Sequence, residues 1–227
     1  MSTQNVTERL AEAAGYALLR RLAPMLSHNL AGALQPLTMI STILEKRLQN
    51  PDPDLAALAS KSSQLKTLTR EASSACMGLM SWLAPHAGEC LTVAAGVREA
   101  IELVMTPLSF KGFSIINKTE DVQVELPRKL IGTVYMAALL ALTDAATAPA
   151  DVILEAQLVE SELVLTISLQ PVPREIMSDD LASYRNIEWA DVAALAEIHA
   201  VRLTHSDYNV HLQIRVGAAS HAGQVRF

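Results

Sequence analysis

The chain has 227 residues, a formal net charge of -6, 50% hydrophobic residues and only 4% aromatic residues. This length can bury a substantial core and suits one compact domain or two small ones, of which we favour two. With so few aromatic residues, the core must be filled by Leu, Ala, Val and Ile, as in helix bundles. Proteins that bind nucleic acid or anionic lipid have clustered Lys and Arg residues, so the negative net charge excludes both as partners.

The cysteines and the N-terminus indicate a cytoplasmic protein. Cys76 and Cys90 cannot form a disulfide framework, and the chain has no Cys-x-x-Cys pair of the kind that binds metals. The N-terminal sequence MSTQNVTERLAEAAG lacks the basic start and apolar core of a signal peptide. No apolar run reaches the roughly 20 residues that a membrane-spanning helix needs.

The first part of the chain has the periodicity of two helices, and we predict a hairpin domain over residues 1–88. The first helix runs from about Val6 to Leu48, with one disturbance. Its apolar residues alternate steps of four and three and form a stripe, here called the seam: Leu26, Leu30, Ala33, Leu37, Ile40 and Leu44. Asn50–Pro53 ends this helix, because proline lacks an amide hydrogen and restricts the residue before it. Periodicity resumes at Leu55 and continues to about Leu83.

A single hairpin of this kind cannot enclose a core. Its apolar seam is therefore predicted to meet a second copy of the chain, which gives a dimeric four-helix bundle. We expect a homodimer.

The sequence pattern of residues 89–216 predicts a second domain that contains both helices and strands. Helices are expected over 94–108, 127–146 and 188–201, and strands over 113–116, 152–159, 163–169 and 210–216, with a turn at Glu160–Glu162. This order is typical of an α/β sandwich with helices on one face of a sheet, so the fold class of the whole chain is α+β. Residues 217–227 are expected to be a flexible tail.

His28 is the main candidate for chemistry. A helix turns by about 100° per residue, so His28 lies opposite the seam and is expected to face solvent. Small or polar residues on the same face form a candidate docking surface for a partner: Arg21, Ala31, Gly32 and Gln35. Arg21 is also a candidate for stabilising phosphate charge, or for simply reaching solvent. Gly32 and the mid-helix Pro36 both disfavour a helix, which hints at a site or at a kinked structural helix.

The segments Leu26–Leu30 and Pro36–Ile40 together resemble the histidine box of sensor histidine kinases. In that family an exposed helical histidine is phosphorylated and passes the group to an aspartate of a response-regulator receiver domain. The resemblance assigns this role to His28. The family usually has an acidic residue directly after the histidine, whereas this chain has Asn29, which cannot act as a base.

Residues 91–216 resemble the ATP-binding domain of the same kinases in the order of elements, but they lack its chemistry. The helix matching the family's magnesium-binding asparagine, Leu130–Ala146, contains no asparagine, and no glycine occurs between Gly132 and Gly217. Leu169–Pro173 stands where the family has a glycine-rich turn that lets the backbone wrap phosphates. We therefore interpret this domain as a degenerate ATPase domain that binds no ATP.

A histidine-box hairpin joined to a nucleotide-blind kinase-like domain is similar to the dimeric, ChpT-like histidine phosphotransferases of bacterial phosphorelays. The resemblance implies phosphoryl transfer through His28, with receiver domains, including that of a hybrid histidine kinase, as partners. No cofactor is expected on the chain, and magnesium is expected on the receiver.

Two other functions stay open. A non-catalytic adaptor or pseudokinase that binds a response regulator or a kinase is favoured by Asn29, and a divergent ATP-dependent kinase is disfavoured by the missing glycines. A zinc site is disfavoured, because His199, His205 and His211 recur every six residues, which fits no usual zinc spacing.

Overall fold

The computed structural model describes residues 3–83, 88–174 and 185–216. The chain divides into two compact units: the first comprises Met1–Leu22 and His86–Phe227, and the second comprises Ala23–Pro85. The division after Pro85 lies close to the predicted boundary after residue 88. A larger difference is that residues 1–22, predicted to be part of the hairpin domain, belong to the unit of the C-terminal domain. The predicted tail over 217–227 lies outside the described residues.

Helix α1 is a single helix, Thr3–Leu48, which runs through Pro24 and Pro36 without a break. Up to Leu22 its buried positions follow helical spacing: Ala11, Ala14, Ala17, Leu18, Arg21 and Leu22. Half of these residues are alanine, whose short side chain lets a helix approach its neighbours closely. This buried face explains why the start of α1 belongs to the first unit, although the heptad pattern begins only at Leu26.

The second unit contains residues 23–48 of α1 and helix α2, Leu55–Leu83. The side chain of Asp54 accepts a hydrogen bond from the amide of Ala57, at 3.0 Å, and so caps the start of α2. Where side chains of this unit are described, the buried hydrophobic residues are Met25, Ile40 and Ala72. The other seam residues are half-buried. The two helices are thus as predicted, while their pairing as a hairpin and their dimerisation stay predictions.

The C-terminal part of the first unit combines helices with two sheets. The helices are α3 (Val93–Phe110), α4 (Arg128–Leu130), which continues through a π-helical turn (Ile131–Tyr135) into α5 (Met136–Ala145), and α6 (Trp189–Ile198). The strands are β1 (Cys90–Thr92), β2 (Ser114–Lys118), β3 (Glu125–Pro127), β4 (Ala150–Val159), β5 (Glu162–Pro171), β6 (Arg202–His205) and β7 (Asn209–Arg215).

The main sheet has five strands in the order β2-β4-β5-β7-β6, and β1 pairs with β3 in a separate small sheet. Strand β2 runs parallel to β4, and the other neighbours are antiparallel. Alternate residues of β4, β5 and β7 are buried, and α5 supplies an almost continuous buried run, so the core lies between one sheet face and the helices. The predicted α+β class is confirmed.

The longer elements of this domain match the prediction, and the short ones were missed. The β4–β5 hairpin turns at Glu160, whose φ is 54°, as expected from Glu160–Glu162. Strands β1, β3 and β6 have three or four residues each, too few to show a period of two. Among the described residues, no helix has both the length and the apolar character needed to cross a bilayer.

Candidate functional site

His28 lies in the second unit, on the solvent-exposed side of α1. The residues predicted to share its face, Ala31, Gly32 and Gln35, are exposed as well. Leu26 and Leu30, on the opposite side, are half-buried. The structure therefore brings four of the five predicted site residues together on one open helical surface, here called the His28 face, defined by His28, Ala31, Gly32 and Gln35.

Gly32 stands one turn after His28, and among the described residues no contact requires glycine at this position. A Cβ atom built at Gly32 would meet no atom within 4 Å, and the backbone is ordinary helix. Glycine inside a helix costs about 1 kcal/mol relative to alanine. On the His28 face, the space where a side chain of residue 32 would lie is therefore empty. Gly78 in α2 has the same open surroundings and serves as a matched control.

The neighbourhood of His28 along α1 contains no carboxylate. Asn29 is half-buried and neutral, and the nearest acidic residues of the helix are Glu12 and Glu45. Both lie more than four helical turns from His28 along α1. Nothing on α1 is therefore placed to take a proton from the His28 ring.

Arg21 is not exposed like the residues of the His28 face, and the expectation that its side chain reaches solvent is wrong. Its side chain is 3% exposed and donates two hydrogen bonds to Asp144 of α5, from Nη2 at 2.7 Å and from Nε at 3.2 Å. The ammonium of Lys111 also contacts Asp144, at 3.0 Å. Helical spacing alone could not reveal that α5 covers this face of α1. The sequence signal that could have indicated this ion pair is Asp144, an aspartate near the end of the largely apolar helix α5.

The end of β5, predicted from the resemblance to stand in place of a glycine-rich turn, is fixed by hydrogen bonds to neighbouring segments. The amide of Val172 donates to the carbonyl of Pro149 at 3.0 Å. Just beyond, Arg174 donates to Asp151 at 2.9 Å and to the carbonyl of Gly112 at 3.0 Å. These bonds tie the end of β5 to the start of β4, and the two prolines, Pro171 and Pro173, have no amide hydrogen to offer a phosphate.

The three C-terminal histidines occupy separate environments. His199 lies 3.3 Å from the hydroxyl of Thr133, His205 stacks on Trp189, and His211 bonds the hydroxyl of Thr166 across two strands at 3.0 Å. Burial, followed by the positive charge of Lys129, lowers the pKa of His199 below its usual value. In the part of the chain that the structure describes, no group of three or more His, Cys, Asp or Glu side chains is placed to hold a metal ion.

No protein-family model and no curated protein matches this chain. Among solved structures it is similar to the histidine kinase AdeS of Acinetobacter baumannii, at 16% identity over 80% of this chain and 97% of that one, with a TM-score of 0.47. A bacterial phosphotransferase is 13% identical over 86% of this chain and 94% of that one, with a TM-score of 0.37. The histidine kinase ThkA, in complex with the response regulator protein TrrA, is 13% identical over 94% of this chain and 66% of that one, with a TM-score of 0.42. All three TM-scores are below 0.5, so any proposal about function has to be argued from the residues of this chain.

Proposed function

We propose that the chain is a dimeric histidine phosphotransferase of two-component signalling, which carries a phosphoryl group on His28 between receiver-domain aspartates without using ATP. The observation that carries this proposal is the His28 face, where an exposed helical imidazole stands one turn from a glycine with empty space around it. A phosphoryl donor must bring its phosphorus atom within bonding reach of a ring nitrogen. A small neighbouring residue makes that approach easy.

The chemistry requires only the neutral imidazole of His28. Its unprotonated ring nitrogen attacks the phosphorus of an aspartyl phosphate, the new N–P bond forms, and the P–O bond to the donor carboxyl breaks. The leaving group is a carboxylate, which departs as an anion and needs no proton. In the second step an aspartate of another receiver attacks the same phosphorus, and the imidazole leaves. Magnesium is supplied by the receiver.

This reaction is compatible with Asn29. The attacking nitrogen of neutral imidazole carries no proton, so the attack itself needs no neighbouring general base. The replacement of the family's acidic residue by Asn29 is thus compatible with transfer between receivers. The missing glycines between Gly132 and Gly217 support the absence of ATP from the cycle.

The half-buried seam supports the homodimer. Leu26, Leu30, Leu37 and Leu44 are all partly exposed in one chain, although they repeat at heptad spacing. We propose that the hairpin pairs with its copy to cover this stripe, because two hairpins together form the closed core that one lacks.

The decisive experiment mixes the protein with a receiver domain carrying ³²P on its aspartate. Label is expected on the wild type and on His205→Ala, an exposed-histidine control, and is expected to be absent from His28→Ala. Binding of the receiver without any label would instead support the adaptor function, for which Asn29 is the favouring observation. Labelling from ATP alone, with no receiver present, would support an ATP-dependent kinase.

A further inference from the structure

A cavity of about 390 Å³ opens at one end of the main sheet, entirely within the first unit. It is bounded by the end of α5, the connection to β4, the end of β5, the start of α6 and the turn between β6 and β7. We call it the Trp189 cavity. Its lining residues are Leu142, Ala145, Ala146, Thr147, Ala148, Ala150, Leu169, Pro171, Trp189, Ser206, Asp207 and Tyr208.

The walls of the Trp189 cavity are mixed, with polar groups from Thr147, Ser206 and Asp207 beside apolar and aromatic side chains. One side is built largely from alanines, whose side chains extend no further than a methyl group, and Trp189 and Tyr208 contribute rings. A wall of short side chains beside aromatic rings leaves room for a flat group. Small-molecule sites are typically concave, have volumes of a few hundred Å³ and combine aromatic side chains with polar groups that fix the orientation of the ligand.

The aromatic side of the cavity is held in place. The indole of Trp189 stacks on the ring of His205, with centroids 4.0 Å apart and planes inclined by 8°. The β6–β7 turn is fixed by two backbone hydrogen bonds of 2.7 Å, from the amide of Ser206 to the carbonyl of Asn209 and from the amide of Leu169 to the carbonyl of Tyr208. The cavity is therefore preformed, which lowers the entropic cost of binding.

The charge of the lining selects the ligand. Among the described lining residues, Asp207 is the single charged side chain, and no Lys, Arg or His is present. Phosphates and carboxylates would find no cationic side chain among the described lining residues and would be repelled by Asp207. An ammonium group would find a carboxylate together with aromatic faces, both of which attract cations.

We propose that the Trp189 cavity is a binding site for a small aromatic amine, with the ring between the alanine wall and Trp189 and the ammonium at Asp207. Water occupies about 30 Å³ per molecule in the liquid, so a cavity of this size holds a ligand of roughly ten to fifteen non-hydrogen atoms. The lining residues all belong to the first unit, whereas His28 belongs to the second, so this proposal does not rest on phosphoryl transfer.

The test is a fluorescence titration of full-length Trp82→Phe, in which Trp189 is the single tryptophan. The probes are benzylamine, its neutral analogue benzyl alcohol, benzoate and ADP. Benzylamine is expected to give a saturable change with a millimolar Kd, which is typical of a ligand of about eight non-hydrogen atoms. Benzyl alcohol is expected to bind about threefold to fivefold more weakly, because it lacks the charge that meets Asp207. Benzoate and ADP are expected to give no saturable change.

Two substitutions locate the effect. Asp207→Asn is expected to bring the Kd of benzylamine to that of benzyl alcohol, whereas Asp121→Asn, which removes an exposed carboxylate elsewhere in the same unit, leaves the preference intact. Calorimetry on the unsubstituted protein is expected to give the same ranking of probes. The proposal is overturned by the absence of saturable benzylamine binding, by a preference that survives Asp207→Asn, or by equal affinity for benzoate or ADP.

Discussion

Gly32 offers the sharpest test of the His28 face, because stability and activity are expected to move in opposite directions. Gly32→Ala removes the cost of a helical glycine and is expected to raise the free energy of unfolding by about 1 kcal/mol. The added methyl group stands where a receiver must approach, so the rate of phosphoryl transfer is expected to fall about tenfold, which corresponds to about 1.4 kcal/mol.

Gly78→Ala is the control, since a methyl group there also meets nothing within 4 Å. It is expected to give the same stabilisation with an unchanged rate. Urea unfolding and the ³²P transfer assay measure the two quantities. A full transfer rate in Gly32→Ala would remove Gly32 from the docking surface.

His199 is expected to make the stability of the first unit depend on pH. Burial and Lys129 lower its pKa in the folded state, whereas in the unfolded chain it titrates at its usual value near 6.5. Below that pH the unfolded chain binds a proton that the folded chain resists. The stabilising contribution is thus complete above about pH 6.5 and is lost as the pH falls through the lowered pKa.

The urea midpoint of the wild type is expected to fall between pH 7.5 and pH 5.5, and His199→Gln is expected to reduce that fall. Glutamine keeps a hydrogen-bonding group near Thr133 but does not titrate. Most carboxylates remain ionised over this range, so their contribution is small. Identical pH dependence in both proteins would show that His199 has no part in it.

At the scale of the elements, the ion pair between α1 and α5 explains why residues 1–22 belong to the first unit. Arg21→Ala leaves the carboxylate of Asp144, whose side chain is 2% exposed, with Lys111 as its partner among the described residues. Breaking a buried charge pair costs about 3 kcal/mol, and we expect a loss of that order in the free energy of unfolding.

The matched control is Arg9→Ala, on an exposed position of the same helix, which is expected to change stability by less than about 0.5 kcal/mol. Arg21→Lys is expected to be intermediate, because lysine keeps the charge but cannot make the two-pronged contact. Thermal unfolding followed by circular dichroism measures all three. Equal effects of Arg21→Ala and Arg9→Ala would contradict a structural role for the pair.

At the scale of the whole molecule, the seam determines the predicted oligomeric state. Leu37→Glu places a charge in the seam and is expected to convert the dimer to a monomer, because a buried carboxylate without a partner is costly. Met39→Glu introduces the same charge at a position that is 61% exposed and is expected to leave the dimer intact. Light scattering distinguishes a particle of 24.5 kDa from one of twice that mass. A wild-type monomer would refute the bundle.

The parts of the fold that periodicity predicts are those with long, regular signals. The alternation over 152–159 and 163–169 and the heptads of α1 gave the correct elements, because each repeats its pattern several times. Arg21 shows the limit of the method. Its helical position is clear from the sequence, but its burial depends on Asp144, which is 123 residues away. The Trp189 cavity was missed for the same reason, since its walls come from four separate segments of the chain.

The division of the chain has a consequence for the order in which it folds during synthesis. Residues 23–85 are a continuous insertion within the first unit, so the ribosome completes them before most of the partners of residues 1–22 exist. Residues 1–22 can pack against α5 only after more than 100 further residues have been synthesised, and bringing such distant segments together costs conformational entropy. A fragment beginning at residue 89 would lack the helical segment that covers α5, whereas residues 23–85 contain all of their own unit.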